Sequence, residues 1–152
     1  MKKLAGTLAA FTLVAVLFAP LAARAHCQVP CGIYDDPARI AAMKEDAVTI
    51  GKAVAGLAEL AGKADAQSWN QAIRWTTTKE DHASHIISVV SEYFLTQKLK
   101  PVAAGAEGYQ AYLESLADHH AVMRAAMKAK QTASTEAVAE LDAAIAKLAA
   151  RY

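Results

Sequence analysis

Three residues could do metal chemistry, provided the chain is cut in front of them. His26, Cys27 and Cys31 lie in the stretch "ARAHCQVPCGIYDD", residues 23–36, which holds the only two cysteines. Ala23-Arg24-Ala25 has the small-residue pattern of a leader cleavage site. Cleavage after Ala25 would turn the His26 nitrogen into a primary amine, whose ordinary pKa of about 8 lets a metal deprotonate it easily. That amine chelates with the imidazole Nδ1 of the same residue, and also with the amide nitrogen of Cys27. The Cys27 thiolate chelates with its own amide nitrogen. Pro30 and Gly32 can turn the chain so that the Cys31 sulfur fills the remaining corner. The resulting N2S2 plane suits Ni(II) or Cu(II), whereas zinc prefers a tetrahedron. Thiolate and amidate are strong anionic donors, so a Ni(III)/Ni(II) couple becomes accessible, with the imidazole as a fifth ligand. This is equipment for one-electron chemistry on a small molecule. The same residues admit two other readings. One is a Cys27–Cys31 disulfide, the common use of paired cysteines in exported chains. The other is a non-enzymatic arm that captures nickel or copper.

The elements before this stretch support the cut. Lys2 and Lys3 form a positive start, Leu4 to Ala22 carry no charge, and Pro20 interrupts the apolar run. Residues 1–25 therefore read as a signal peptide removed by signal peptidase, which places the mature chain in the periplasm or outside the cell. An uncleaved anchor would need an apolar run of about this length too, but Pro20 and the small-residue site favour cleavage. There is no twin-arginine pair. The full chain has net charge +1, with 16 Lys and Arg against 15 Asp and Glu. Losing Lys2, Lys3 and Arg24 leaves 13 against 15, a net charge of −2. That balance excludes a nucleic-acid binder, and no basic amphipathic stripe suggests a membrane surface for the mature chain.

From Asp36 onward the period is helical. Ile40, Met43, Ala47, Ile50, Val54, Leu57 and Ala61 fall on one helix face. Asp35 or Asp36 can cap that helix, Pro37 suits its first turn, and Gly62 can stop it. A second helix is expected from about Gln67 to Lys100, ended by Pro101. It carries Ala83, Ile87, Val90 and Phe94 on one stripe and His82, Ile86, Val89 and Tyr93 on the next. A third repeats at Tyr109, Leu113, Leu116, His120, Met123 and Met127, and a fourth at Val138, Leu141, Ile145, Leu148 and Tyr152. Short connections, "KPVAAGAEG" and "KQTAS", join the last three. The expected fold is all-α: an antiparallel four-helix bundle over residues 36–152, with a non-helical arm at 26–34.

The sequence "HCQVPCGIYDDPARI" closely resembles the amino-terminal hook of the nickel superoxide dismutases, H-C-x-x-P-C-G-x-Y-D-P. His26, Cys27, Pro30, Cys31, Gly32, Tyr34 and Asp35 match. "RWTTTKEDHASH" and "SEYF" resemble that family's second helix, so the likeness covers essentially residues 26–152. The resemblance implies dismutation of superoxide to oxygen and hydrogen peroxide. It implies one nickel ion per subunit, held by the amine and imidazole of His26, the amide nitrogen and sulfur of Cys27, and the sulfur of Cys31. It also implies a homohexamer of four-helix bundles and a cis Val29-Pro30 bond. Tyr34 and Tyr93 resemble the family's two phenols, which hold water beside the open nickel face and restrict access. The chain departs from the pattern at several places. Gln28 stands where Asp is frequent, and Asp36 is an extra acidic residue before Pro37. Ala41 stands near the Glu that steadies the axial imidazole, and the Arg partner of that Glu falls near His82. Glu45, Glu80 or His82 could serve instead. No Lys follows "YF", where the chain continues Leu95-Thr96-Gln97-Lys98.

Other polar residues read as structural. His82 and His85 sit mid-helix and their spacing suits packed or surface histidines. His120, on the apolar stripe, is expected to be hydrogen-bonded in the core or at an interface, with His119 similar. A di-metal bundle needs a Glu-x-x-His motif on each of two helices, and the chain has no such pair. Trp69 and Trp75 read as packing residues.

Overall fold

The computed structural model describes residues 33–152; the leader, His26, Cys27, Cys31 and the Val29-Pro30 bond lie outside the described residues. Among the described residues four α-helices run in sequence: α1 (Asp36–Glu59), α2 (Ala66–Ser88), α3 (Tyr109–Gln131) and α4 (Thr135–Ala149). A π-helical segment, Val89–Lys98, continues α2. α1 packs against α2 and α4, and α3 packs against the same two, which makes a four-helix bundle with α1 and α3 on one diagonal. Short connections force neighbours to run antiparallel. None of the described helices is long and apolar enough to cross a membrane.

Local chemistry sets the helix starts. Asp35 Oδ1 accepts the Ala38 amide at 3.0 Å, with Pro37 in the first turn where its missing N–H costs nothing. Asp65 Oδ1 accepts the Ser68 amide at 3.0 Å and Ser134 Oγ accepts the Ala137 amide at 3.1 Å. Ser68 also donates to Asp65, and both bonds hold the Asp65 carboxyl below its usual range.

The core is the expected stripe of α1, with Ile40, Met43, Ala47, Ile50 and Val54, joined by Ile86, Val90, Phe94, Leu141, Ile145 and Leu148. Each such large aliphatic or aromatic side chain contributes about 1.5–3 kcal/mol of transfer free energy on burial. Gly56 lets α2 approach closely: a Cβ there would lie 2.5 Å from the Trp75 indole nitrogen.

Three expectations fail. Trp69, expected to pack, is 61% exposed. The second helix is not α-helical to its end. From Val89 it widens to i→i−5 bonding, seen in Leu99 N–H to Phe94 O at 2.7 Å. Side chains reinforce that spacing: Thr96 Oγ1 donates to Ser91 O at 2.6 Å and Gln97 Nε2 to Glu92 O at 2.9 Å. The third helix buries a different face from the one its large apolar residues mark. Ser115, Asp118, His119, Val122, Ala126 and Ala129 face inward, while His120 is exposed.

Asp118 and His119 find partners within α3 and at or beyond the end of α4. Asp118 takes Lys147 Nζ at 2.8 Å and the Arg151 guanidinium, and these cations hold its carboxyl below the usual range. Ser115 O can only accept, so the His119 Nδ1 carries a proton and donates to it at 2.7 Å. Nε2 is then the acceptor for the Tyr152 hydroxyl at 2.9 Å. Burial lowers the His119 pKa and keeps the ring neutral. Lys79, also buried, donates to the carbonyls of Ala129 (3.0 Å) and Lys130, closing the C-terminal end of α3 from the side. Its pKa is lowered by burial.

Candidate metal centre

The described chain begins at the root of the arm. Tyr34 stands three residues after Cys31, a reach of at most about 11 Å along the chain. Its half-buried ring meets the buried ring of Tyr93 edge-on, with centroids 5.8 Å apart and planes at 72°. So the two phenols expected at the site, one from the arm and one from the π-helical segment, are brought together. Edge-to-face packing of this kind adds about 0.5–1.5 kcal/mol beyond area burial.

Their environments differ. Tyr93 is fully buried and its hydroxyl donates to Asp36 Oδ1 at 2.7 Å. Burial, then the bond to Asp36 and its charge, push the Tyr93 pKa up to about 12. The phenol stays protonated and its proton points to a carboxylate of α1. Tyr34 has no such acceptor among its contacts. Instead the Lys98 ammonium lies 5.2 Å from its ring centroid. Lys98 is paired with the other oxygen of Asp36, at 2.6 Å. Arg39 lies 5.2 Å from the Tyr93 centroid.

Asp36 and Lys98 are thus part of the site's wall, and sequence reasoning did not place them there. The first signal was visible: Asp35 and Asp36 compete for one cap position, and Asp35 takes it, which frees Asp36 for side-chain contacts. The second was not, because the reach of Lys98 depends on the π geometry.

Of the residues expected to be able to steady the His26 imidazole, which lies outside the described residues, His82 is engaged through Nδ1. A carboxylate only accepts, so His82 and His85 each donate Nδ1–H to Asp46, at 2.6 Å to separate oxygens. Glu45 and Glu80 are exposed. Asp46, Asp81, His82 and His85 line a shallow depression of about 360 Å³. Even so, no three His, Cys, Asp or Glu residues among those described are placed to hold a metal ion. His26, Cys27 and Cys31 remain the candidate ligand set, and two thiolates with nitrogen donors fit a planar late transition ion.

Comparison with known proteins bears on the family. The model of one family, described as nickel-containing superoxide dismutase, matches residues 21–152. No curated protein and no solved structure matches the chain. The match takes in the arm, both phenols and the whole bundle, and the chain therefore belongs to the nickel-containing superoxide dismutases, oxidoreductases that disproportionate superoxide to oxygen and hydrogen peroxide with a nickel cofactor.

Proposed function

We propose that the nickel of this enzyme is held by the amine and imidazole of His26, the amide nitrogen and thiolate of Cys27, and the thiolate of Cys31. Nickel held there would supply a Ni(III)/Ni(II) couple for one-electron exchange with superoxide. The chain's own residues do the rest. Tyr34 closes the arm onto the bundle and presents the phenol at its root, where its hydroxyl can hold water and limit access to small species. Tyr93 braces that ring from behind. Its own proton is held by Asp36, so it acts through Tyr34's position rather than by donating toward solvent.

The ligand set requires removal of residues 1–25, and with it export to the periplasm or beyond. An arm of this length has no core, and ordering it costs about 1–2 kcal/mol per residue. Metal ligation and burial at subunit contacts in a homohexamer offset that cost. Exposed Trp69, Ile73, Val48 and Leu113 supply apolar surface for such contacts. The observation that carries the reading is the placement of Tyr34 against Tyr93 three residues from Cys31, within a chain matched to the family from residue 21 onward.

The terminus is the sharpest test. Mature protein starting at His26 is compared with a form carrying one added Ala before it, both loaded with nickel. The added residue makes the ligand nitrogen an amide and changes no side chain. The expected result is loss of superoxide consumption, and of the Ni(III) resonance with its axial nitrogen coupling, in the extended form only. Light scattering on the active form should read a hexamer. Equal spectra and rates would remove the amine from the ligand set.

A further inference from the structure

We propose that the rings of Tyr34, Tyr93, Phe94, Tyr152 and His119 form an oxidation relay, which carries a one-electron hole away from the nickel arm and lets it leave at Tyr152. The inference takes from the family reading only the source of the oxidant; the relay itself is built from described residues. Hydrogen peroxide is the product of the activity, and one electron splits it into hydroxide and a hydroxyl radical. The proposed ligands include two thiolates, and a thiolate is the form in which cysteine is most readily oxidised. A chain of rings beside the arm gives the hole another place to go.

The ring contacts are continuous. Tyr34, at the root of the arm, meets Tyr93 with centroids 5.8 Å apart. Tyr93 meets Phe94 at 4.9 Å, and Phe94 meets Tyr152 at 4.6 Å. Tyr152 meets His119 at 5.8 Å. Tyr93, Phe94 and His119 are fully buried, whereas Tyr34 and Tyr152 are half-buried, so the chain of rings has a sealed middle and two ends that reach solvent. A phenol loses an electron readily only if its proton can leave with it, and both Tyr93 and Tyr152 have a base in place. The Tyr93 hydroxyl donates to Asp36 Oδ1 at 2.7 Å. The Tyr152 hydroxyl donates to His119 Nε2 at 2.9 Å, and the ring proton of His119 sits on the Ser115 carbonyl, which leaves Nε2 free to accept. Both phenols are pushed up to about 12, by burial first, so neither releases its proton before it is oxidised. The steps balance. Tyr34 gives a hydrogen atom to the hydroxyl radical, which becomes water. The Tyr34 phenoxyl takes an electron from Tyr93 and a proton from solvent, while the Tyr93 O–H breaks and its proton passes to Asp36. The Tyr93 phenoxyl then takes an electron from Tyr152 across the Phe94 ring and its proton back from Asp36, while the Tyr152 proton passes to His119. Superoxide returns an electron to Tyr152 and leaves as oxygen, and His119 returns the proton.

The first test separates the relay from turnover. Cys27→Ser leaves Cys31 as the single thiol of the mature chain. A ruthenium polypyridyl photo-oxidant is attached to it, without nickel, and a flash in the presence of a soluble electron acceptor starts the hole at the root of the arm. Freeze-trapped samples carrying isotope-labelled histidine are read by electron paramagnetic resonance. The expected signal is a neutral tyrosyl radical coupled to a histidine nitrogen, and Tyr152→Phe should lose that coupling. Phe94→Leu should delay its arrival severalfold. Tyr109→Phe and Tyr112→Phe, at a pair of rings 6.4 Å apart that lie outside the relay, should change nothing. The second test uses nickel-loaded mature protein under a steady flux of superoxide. Tyr152→Phe should match the parent in initial rate, then lose activity and intact thiols severalfold sooner, with the oxidised cysteines read by peptide mass spectrometry. A parent signal without histidine coupling, or one that Tyr152→Phe leaves unchanged, would overturn the proposal while leaving dismutation standing. Equal survival of the two nickel-loaded forms would overturn the protective role in the same way. Parent protein that binds nickel and consumes no superoxide would instead strike at the activity, with the flash experiment still deciding the relay.

Discussion

α1 carries two largely buried carboxylates, each gripped by two side chains of the helix that follows. Asp36 takes Tyr93 and Lys98; Asp46 takes His82 and His85. The arrangements look alike and do different things. At Asp36 the partners are a buried phenol and a permanent cation, and both touch the ring of Tyr34. At Asp46 the partners are two imidazoles, 37% and 55% exposed at the side chain. The first carboxylate ties the root of the arm to the π-helical segment and the second straps two helices together. A buried acid with two partners is therefore no marker of function. What distinguishes the two is which neighbours the partners go on to touch.

The comparison breaks if the two positions respond alike. Asp46→Ala should lower unfolding free energy by about 1–3 kcal/mol in urea melts, because a buried network loses its acceptor. Its kcat/KM per bound nickel should stay unchanged. Asp36→Asn should give the reverse pattern, a clear loss of rate with a smaller loss of stability. Parallel losses of rate at both sites would mean that the strap also shapes the reaction site.

A smaller effect concerns pH and the buried polar groups of α3. The His119 pKa is lowered by burial, so the unfolded chain binds a proton that the folded chain refuses. Stability should therefore fall as pH drops below the ordinary value of 6.5. His119→Gln should flatten that dependence. Asp118 acts in a separate, more acidic window. Its stabilisation is complete above 3.8 and is lost as pH falls through its lowered folded value. Thermal melts from pH 7 to pH 3 read both phases, and an unchanged first phase in His119→Gln would assign it to another group. The smallest effect is expected at Lys128–Glu140, which joins α3 to α4 at 2.7 Å with both side chains about half exposed. Lys128→Met should change stability by less than about 1 kcal/mol, and less still in high salt.

Much of this was legible in the residues. The stripe of α1 and that of α4 are built from large aliphatic residues at unbroken helical spacing, so hydropathy alone finds their inner faces. Asp35, Asp65 and Ser134 announce helix starts by ordinary capping chemistry. The third helix defeats the same reasoning because its inner face is small and polar. Ala126 and Ala129 weigh little in a pattern of Leu and Met, and Asp118 and His119 are tolerated inside only because Lys147, Arg151, Ser115 and Tyr152 satisfy them. Of those partners only Ser115 is close in a local window; Lys147, Arg151 and Tyr152 are not. The arm was legible as chemistry, from His26, Cys27 and Cys31, and Tyr34 and Tyr93 were named before their rings were seen to meet. Asp36 and Lys98 were not, since their meeting depends on a wider helical turn that no simple periodicity encodes.

That wider turn makes the end of α2 a kind of dial. In an α-helix each residue advances the side-chain direction by about 100°. Between Phe94 and Lys98 the bonding runs to the fifth residue instead of the fourth, so the direction in which Lys98 leaves the helix depends on how many residues the loosened stretch contains. Loss of a single residue there would swing the ammonium away from Asp36 while leaving Tyr93 and every proposed nickel ligand untouched. Small changes of segment length can thus move a positive charge away from the root of the arm while the core stripe of the bundle stays in place.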